Sequence, residues 1–262
     1  MLFVLLKSYY FLYIDNQLNL VIDIGNTSTK TALFLDDKIV FNKNYESLTL
    51  NDIEILLKEF NIVRSIVSNV KNEQTELEQL LMNQTHFLSL NEQTLLPFAN
   101  LYSTPSTLGK DRIALVAAAA THPLFNGHDV LVIDAGTCIT YDFIDKNKNY
   151  LGGSIAPGVN LRLKALNQYT GKLPLVDFSD NITPKLTGDS TIDSIKSGVF
   201  YGVKLEIEGV IAEYTKRYGN IQPVITGGNA EMFDLESKNR IFADKFFLLK
   251  GLNEILKYNA KN

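Results

Sequence analysis

One six-residue device occurs twice in the chain, as Leu20-Val21-Ile22-Asp23-Ile24-Gly25 and as Leu131-Val132-Ile133-Asp134-Ala135-Gly136. Each copy is an apolar run that reads as a buried strand and ends on a carboxylate, a glycine turn and nearby hydroxyls. Each then enters a second apolar stretch, Thr29 to Leu35 after Asn26-Thr27-Ser28 and Ile139 to Ile144 after Thr137-Cys138. The expected unit is therefore a hairpin with polar groups in its turn. A glycine there lets backbone N–H groups approach an anion, and the aspartate can hold a cation or a metal-bound water. A single Asp-x-Gly turn is ordinary hairpin chemistry and carries no function by itself. Two in matching frames predict two similar lobes acting as jaws around one polyphosphate.

Neither copy is a Gly-x4-Gly-Lys-Ser/Thr loop or a Gly-x-Gly-x-x-Gly fingerprint, so turns rather than one helix start must grip the phosphates. With 262 residues, 45% of them hydrophobic, the chain can bury one large core or two modest ones. A net charge of −4 and a pI near 5.5, with Lys and Arg scattered, give no electrostatic reason to expect nucleic acid. One cysteine, Cys138, cannot form an internal disulfide, and three histidines show no metal-ligand spacing. A reducing, cytoplasmic address without zinc is the expectation. Residues 1–18 stand apart: Met1 to Ile14 is apolar and aromatic around a single Lys7, unlike a secretory signal and too short and interrupted to span a bilayer. A mis-called start codon is one reading of this extension, an extra strand or peripheral anchor the other.

Along the chain, Asn51 to Phe60 reads as an amphipathic helix capped by Asn51 or Asp52, and Arg64 to Val70 as a buried strand. Asn72 to Met82 follows as a helix and His86 to Leu90 as a short strand. This alternation implies an α/β lobe over 19–120. Tyr102 to Gly109 holds turn residues, and an alanine-rich helix starts at Gly109-Lys110-Asp111-Arg112. The second lobe, 121–262, takes the second hairpin, a helix from Asn160 to Tyr169, an exposed excursion from Leu173 to Asp189, and a long helix from Thr191 to Tyr214. Strand Val224-Ile225 and a last helix from Leu252 to Tyr258 complete it.

These motifs resemble a known superfamily, that of the sugar kinases, actin and the heat-shock ATPases. Within it the chain is identified as a member of the type III pantothenate kinases. The resemblance runs from about Leu20 to Leu252. It rests on Asp23-Ile24-Gly25-Asn26-Thr27, on Tyr102 through Arg112, on Asp134-Ala135-Gly136-Thr137 and on Gly152-Gly153-Ser154-Ile155-Ala156-Pro157-Gly158. It continues with Thr191 through Gly198 and with Thr226-Gly227-Gly228. It implies an α/β fold of two similar actin-like (ribonuclease H-like) lobes with a nucleotide cleft between them. The activity implied is ATP-dependent phosphorylation of pantothenate to 4′-phosphopantothenate, the first step of coenzyme A synthesis.

Phosphoryl transfer to an alcohol needs screened phosphates, an in-line hydroxyl and a carboxylate to accept its proton. Asp111, read as a buried carboxylate beside Arg112, is the candidate base, with capping of its helix as the alternative role. The resemblance implies the base. It also implies that Tyr102, Gly109, Lys110, Asp111, Arg112 and Thr191 hold pantothenate, where Tyr102 could instead be packing and Thr191 a helix cap. It assigns Ile24, Gly25, Asn26, Thr27, Ser28, Thr29, Lys30 and Thr137 to ATP, Asp23 to Mg²⁺ through water, and Asp134 to K⁺ or NH4⁺. Cys138, where many relatives carry alanine, is expected to be a small buried hydrophobe. Ser197, Gly198 and Gly202 permit close helix approach, and the resemblance implies a homodimer with no nucleic-acid or membrane partner. The rivals are another sugar or acid kinase, and a non-catalytic module, since chains similar to this family have been described as accessory transcription factors.

Overall fold

The computed structural model describes residues 16–69, 75–178, 183–233 and 241–261. Most of the extension at 1–18 thus lies outside the described residues. The chain forms two compact units: the first takes residues up to 98, 103–121 and 247–262, the second 99–102 and 122–246.

In the first unit, β1 (Leu18–Ile24), β2 (Thr29–Leu35), β3 (Lys38–Tyr45), β4 (Ile62–Asn69) and β5 (His86–Ser89) form one sheet in the order β3-β2-β1-β4-β5. β1 runs antiparallel to β2 and parallel to β4, so it is paired on both sides. Helices α1 (Leu50–Glu59) and α2 (Thr75–Gln84) make the crossovers that parallel pairing demands. Leu18, Leu20, Ile22 and Ile24 alternate onto one face of β1 and pack with Ile53, Leu56 and Leu81. On the other face, Asn19 donates to Asn253 Oδ1 at 2.9 Å, on α6 (Phe247–Lys261).

The alanine-rich helix α3 (Lys110–Thr121) is buried from Arg112 through Ala120. Its small side chains let α6 approach so closely that a Cβ at Gly251 would lie 1.8 Å from the Ala114 carbonyl oxygen. The last helix therefore belongs to the first unit, not to the second lobe as expected. It also begins at Phe247 rather than Leu252, and its buried face includes Phe247, Leu249, Leu252 and Ile255.

The second unit repeats the plan. β6 (Ala99–Asn100), β7 (Asp129–Ala135), β8 (Cys138–Ile144), β9 (Asn149–Pro157), β10 (Ile221–Thr226) and β11 (Phe242–Ala243) are ordered β11-β10-β7-β8-β9-β6. As in the first unit, an antiparallel triple is extended by two parallel strands beside its first member. Leu131, Ile133, Ile139, Tyr141 and Phe143 face a core built on Val199, Val203, Ile207 and Ile211 of the 28-residue helix α5 (Thr191–Tyr218). Val159 and Leu163 of α4 (Val159–Gln168) join it.

Several expectations need correction. The cap of α1 is Thr49 rather than Asn51 or Asp52; Thr49 Oγ1 accepts from Asp52 N–H while Asp52 Oδ2 accepts from Thr49 N–H, a reciprocal box. β3 and β9 were not expected as strands, because each is largely exposed along its length and its apolar residues are few, Ile39-Val40-Phe41 in β3 and scattered positions in β9. The excursion after Leu173, described except for 179–182, is largely exposed as expected, yet it is tied to the unit. Val176 is buried, Ser197 donates to Leu186 O at 2.5 Å and Tyr201 to Pro184 O at 3.0 Å. Among the described residues no helix is long and apolar enough to cross a membrane.

The contact of α3 with α6 supports a direct test. Gly251→Ala should destabilise the protein by about 1–3 kcal/mol, the usual cost of overpacking, with a lowered melting temperature. An unchanged melt would show that the two helices can part without penalty.

Candidate active site

In the first unit the candidate residues gather at the carboxyl ends of β1 and β4, where sites commonly lie when strands run parallel. Asp23, only 6% exposed, is opposite Lys30 across the hairpin and opposite Ser68 on β4. Gly25 N–H donates to Ser28 O at 3.1 Å and closes a turn that leaves Asn26 and Thr27 exposed, with Thr29 buried behind it. Lys110 Nζ donates to Asn69 O at 3.0 Å, which fixes the start of α3 against the end of β4.

Burial pushes the Asp23 carboxyl up to about 6; Lys30 and Ser68 favour its ionised form, and the negative charge of Asp111 opposes it. Asp23 and Asp111 thus meet electrostatically within one unit. Asp111 is half-buried rather than buried as expected; the buried member is Arg112, at 5% exposure. Asp111 Oδ1 accepts the Arg112 backbone N–H at 2.9 Å, and a Cβ at Gly109 would sit 2.4 Å from the same oxygen. The carboxylate therefore helps cap α3 and also stands over the loop it opens. Ser68 was not read as a site residue. Its Oγ is buried with no hydrogen-bond partner in strict geometry, although it lies close enough to steady the Asp23 charge.

In the second unit Asp134, near the end of β7, is opposite Thr226 on β10 and Thr140 on β8. The Thr-Gly-Gly turn folds back over it: Asn229 N–H donates to Ala135 O at 2.9 Å, and Gly227 has φ +96°. A Cβ there would lie 2.3 Å from Asp134 Oδ1, so both the backbone and the contact demand glycine. Gly158 N–H donates to Thr137 O at 3.1 Å, joining the fourth motif to the same turn. Thr140, also missed in the sequence, buries Oγ1 without a hydrogen-bond partner among the described residues. The apposition of Ser68 and Thr140 to the two aspartates comes from strand register, of which the only sequence signal is a hydroxyl in an apolar strand.

Thr137 is exposed, and so is Cys138, which corrects its expected burial; as the first residue of β8 it follows the turn outward. Tyr102 is half-buried and stacks on Tyr150 with ring centroids 6.0 Å apart. Thr191 is exposed and opens α5, but the cap is Ser190, whose hydroxyl accepts from Asp193 N–H, so the capping role for Thr191 falls away. Thr191, Ser194, Gly198 and Arg162 line a cavity of about 1170 Å³ between α4 and the start of α5.

Comparison with known proteins places this architecture. A glucokinase of the ROK family from Streptomyces griseus, solved with glucose and AMPPNP, matches with TM-score 0.51 over 94% of this chain and 100% of its own, at 12% identity. At that identity the likeness defines the fold, that of the actin-like sugar kinases. A Campylobacter jejuni protein provisionally described as a Baf family transcriptional activator matches with TM-score 0.56 and 27% identity over 93% of this chain and all of its own. A family model for type III pantothenate kinase matches residues 19–213. The type III pantothenate kinase of Christiangramia forsetii is 45% identical over 249 residues, covering 92% of this chain and 99% of that protein. That of Bacteroides fragilis strain ATCC 25285 is 44% identical over 243 residues, 92% and 98% of the two chains. The chain belongs to the type III pantothenate kinase family.

The buried Asp23 makes a pH prediction for the protein without Mg²⁺ or nucleotide. Its folded value of about 6 lies above the ordinary 3.8, so the native state keeps a proton that the unfolded chain releases. Stability therefore falls as pH rises through that window, by roughly 3 kcal/mol once ionisation is complete. Asp23→Asn should melt above the parent at about pH 8, with the gap closing near about pH 4. An Asn variant that melts lower at the higher pH would contradict the assignment.

Proposed function

We propose that the protein transfers the γ-phosphoryl group of ATP to the primary hydroxyl of pantothenate, giving 4′-phosphopantothenate and opening coenzyme A synthesis, with Asp111 as the base. The observation that carries the reading is the buried Asp23 in the same unit as Asp111 at the start of α3, joined to membership of the family. As the new O–P bond forms and the bond from phosphorus to the leaving ADP oxygen breaks, the hydroxyl proton passes to Asp111. Arg112 pairs with the pantothenate carboxylate, as a guanidinium suits a planar anion. Gly109, Lys110, Tyr102 and Thr191 orient the rest of the acceptor.

Ile24 through Lys30 and Thr137 contact ATP. An oxygen-lined site with Asp23 and the buried Ser68 hydroxyl suits Mg²⁺, a hard cation that takes few protein ligands and several waters. Bound there, it neutralises charge on the phosphates. Asp134, with the Thr140 hydroxyl opposite it, is an oxygen set for K⁺ or NH4⁺. The setting is the cytoplasm, with no nucleic acid or membrane as partner. A regulatory reading follows from the description of the Campylobacter protein, and the retention of both Asp23 and Asp111 favours catalysis.

Asp111→Asn should lower kcat by roughly 10² to 10⁴ in an ATP-consumption assay with pantothenate, with ATP binding little changed. Near-normal turnover would leave Asp111 a capping residue only.

The working form is a homodimer meeting along α5, which exposes Gly198, Gly202, Ile192 and Leu205. Light scattering with activity across dilution should show a dimer that loses activity as it dissociates, because an open acceptor pocket admits water. A fully active monomer would remove the dimer from the account.

A further inference from the structure

We infer that Asp142 and Tyr150 are a buried positioning pair that fixes the ring of Tyr102 and, through it, the seat of the acceptor. The inference rests on the reading above that Tyr102 touches pantothenate, and it assigns two residues that no motif marks. Asp142 and Tyr150 are both 0% exposed, and Tyr150 Oη donates to Asp142 Oδ1 at 2.7 Å. The core of the second unit lies against the opposite side of the sheet, where Ile139, Tyr141 and Phe143 point. Asp142 alternates with them, onto the face shared by Thr140 and its cross-strand neighbour Asp134. A buried acid among apolar strands is costly where a Leu and Phe of similar volume would pack, so the pair is not needed to fill the space.

Its geometry leads to Tyr102. The β8·β9 register slips between Phe143 and Ile144, setting Tyr150 opposite Ile144 and Gly152 opposite Phe143. Tyr150 and Gly152 thereby flank Tyr102. The Tyr150 ring stacks on it at 6.0 Å and 20°, while a Cβ at Gly152 would lie 3.4 Å from Tyr102 Cδ2. Gly152 has φ +109°, which an L side chain rarely adopts, so the space beside the ring is kept by glycine. The main chain is tied as well: Leu101 N–H donates to Tyr150 O at 3.0 Å and Tyr102 N–H to Asn100 Oδ1 at 3.0 Å. What remains is the slide of one ring over the other, and the Tyr150 to Asp142 hydrogen bond removes it by fixing the Tyr150 ring.

Steady-state kinetics on Tyr150→Phe, Asp142→Asn and Asp142→Ala, with melting curves, test this. Tyr150→Phe keeps the stacked ring and loses only the tether; its KM for pantothenate should rise roughly tenfold with the KM for ATP within about twofold. Asp142→Asn, which keeps an acceptor at Oδ1, should move the pantothenate KM less than Asp142→Ala. If Tyr150→Phe does not fold, the double variant Asp142→Leu with Tyr150→Phe removes both polar partners and should show the same split. An unchanged pantothenate KM, or both KM values changing together with the melt, would overturn the inference. Tyr102→Ala separates it from the reading beneath: if that variant raises the pantothenate KM and Tyr150→Phe does not, the positioning pair alone is wrong. If Tyr102→Ala leaves the KM unchanged, the placing of Tyr102 on the acceptor fails, and the pair with it.

Discussion

Keeping the carboxyl of Asp23 out of water is the constraint on which the first unit turns. A carboxylate at 6% exposure is tolerated only with compensation, and here it is partial: Lys30 and Ser68 help, Asp111 opposes, and burial outweighs them. β1 must be a central strand for this to occur, since Lys30 comes from β2 and Ser68 from β4. The α3 helix is also held against the sheet, because Lys110 ties its start to Asn69 at the end of β4, and the charge of Asp111 on that start is felt at Asp23. The deep burial of Arg112 through Ala120 under α6 gives that position its rigidity. The remaining cost of ionising Asp23 is the feature that the proposed Mg²⁺ site would relieve.

The second unit uses the same topology with a different balance. Asp134 is half-buried, with the Gly227 turn folded over it and Thr140 opposite it on β8. One fold thus presents two carboxylates of unlike character: one deeply buried beside a second carboxylate, the other lodged among backbone dipoles.

Much of this was legible in the amino-acid sequence, because the two hairpins combine an apolar run with a turn that only a few residue types can make. The alanine-rich α3 was equally plain. What was not legible depends on partners distant in sequence. β3 has only the short run Ile39-Val40-Phe41 and β9 scattered apolar residues, α6 shows an apolar face without saying which unit it covers, and Ser68 and Thr140 acquire meaning only through register. Cys138 was misjudged because its small apolar character suggested burial, whereas the turn before β8 sets it outward. For Thr191 only the alternative role as a cap falls away: Ser190 serves the helix, and Thr191 lines the cavity beside it.

The central claim is that these two carboxylate turns serve phosphoryl transfer to pantothenate and not to another alcohol or acid. It is tested most directly by incubating the purified protein with Mg²⁺, K⁺ and ATP against pantothenate and a panel of sugars and hydroxy acids, with products identified by mass spectrometry. ADP and 4′-phosphopantothenate should appear in equal amounts, with no product from the sugars. Phosphorylation of a sugar with pantothenate untouched, or ATP consumed with no acceptor modified, would contradict it.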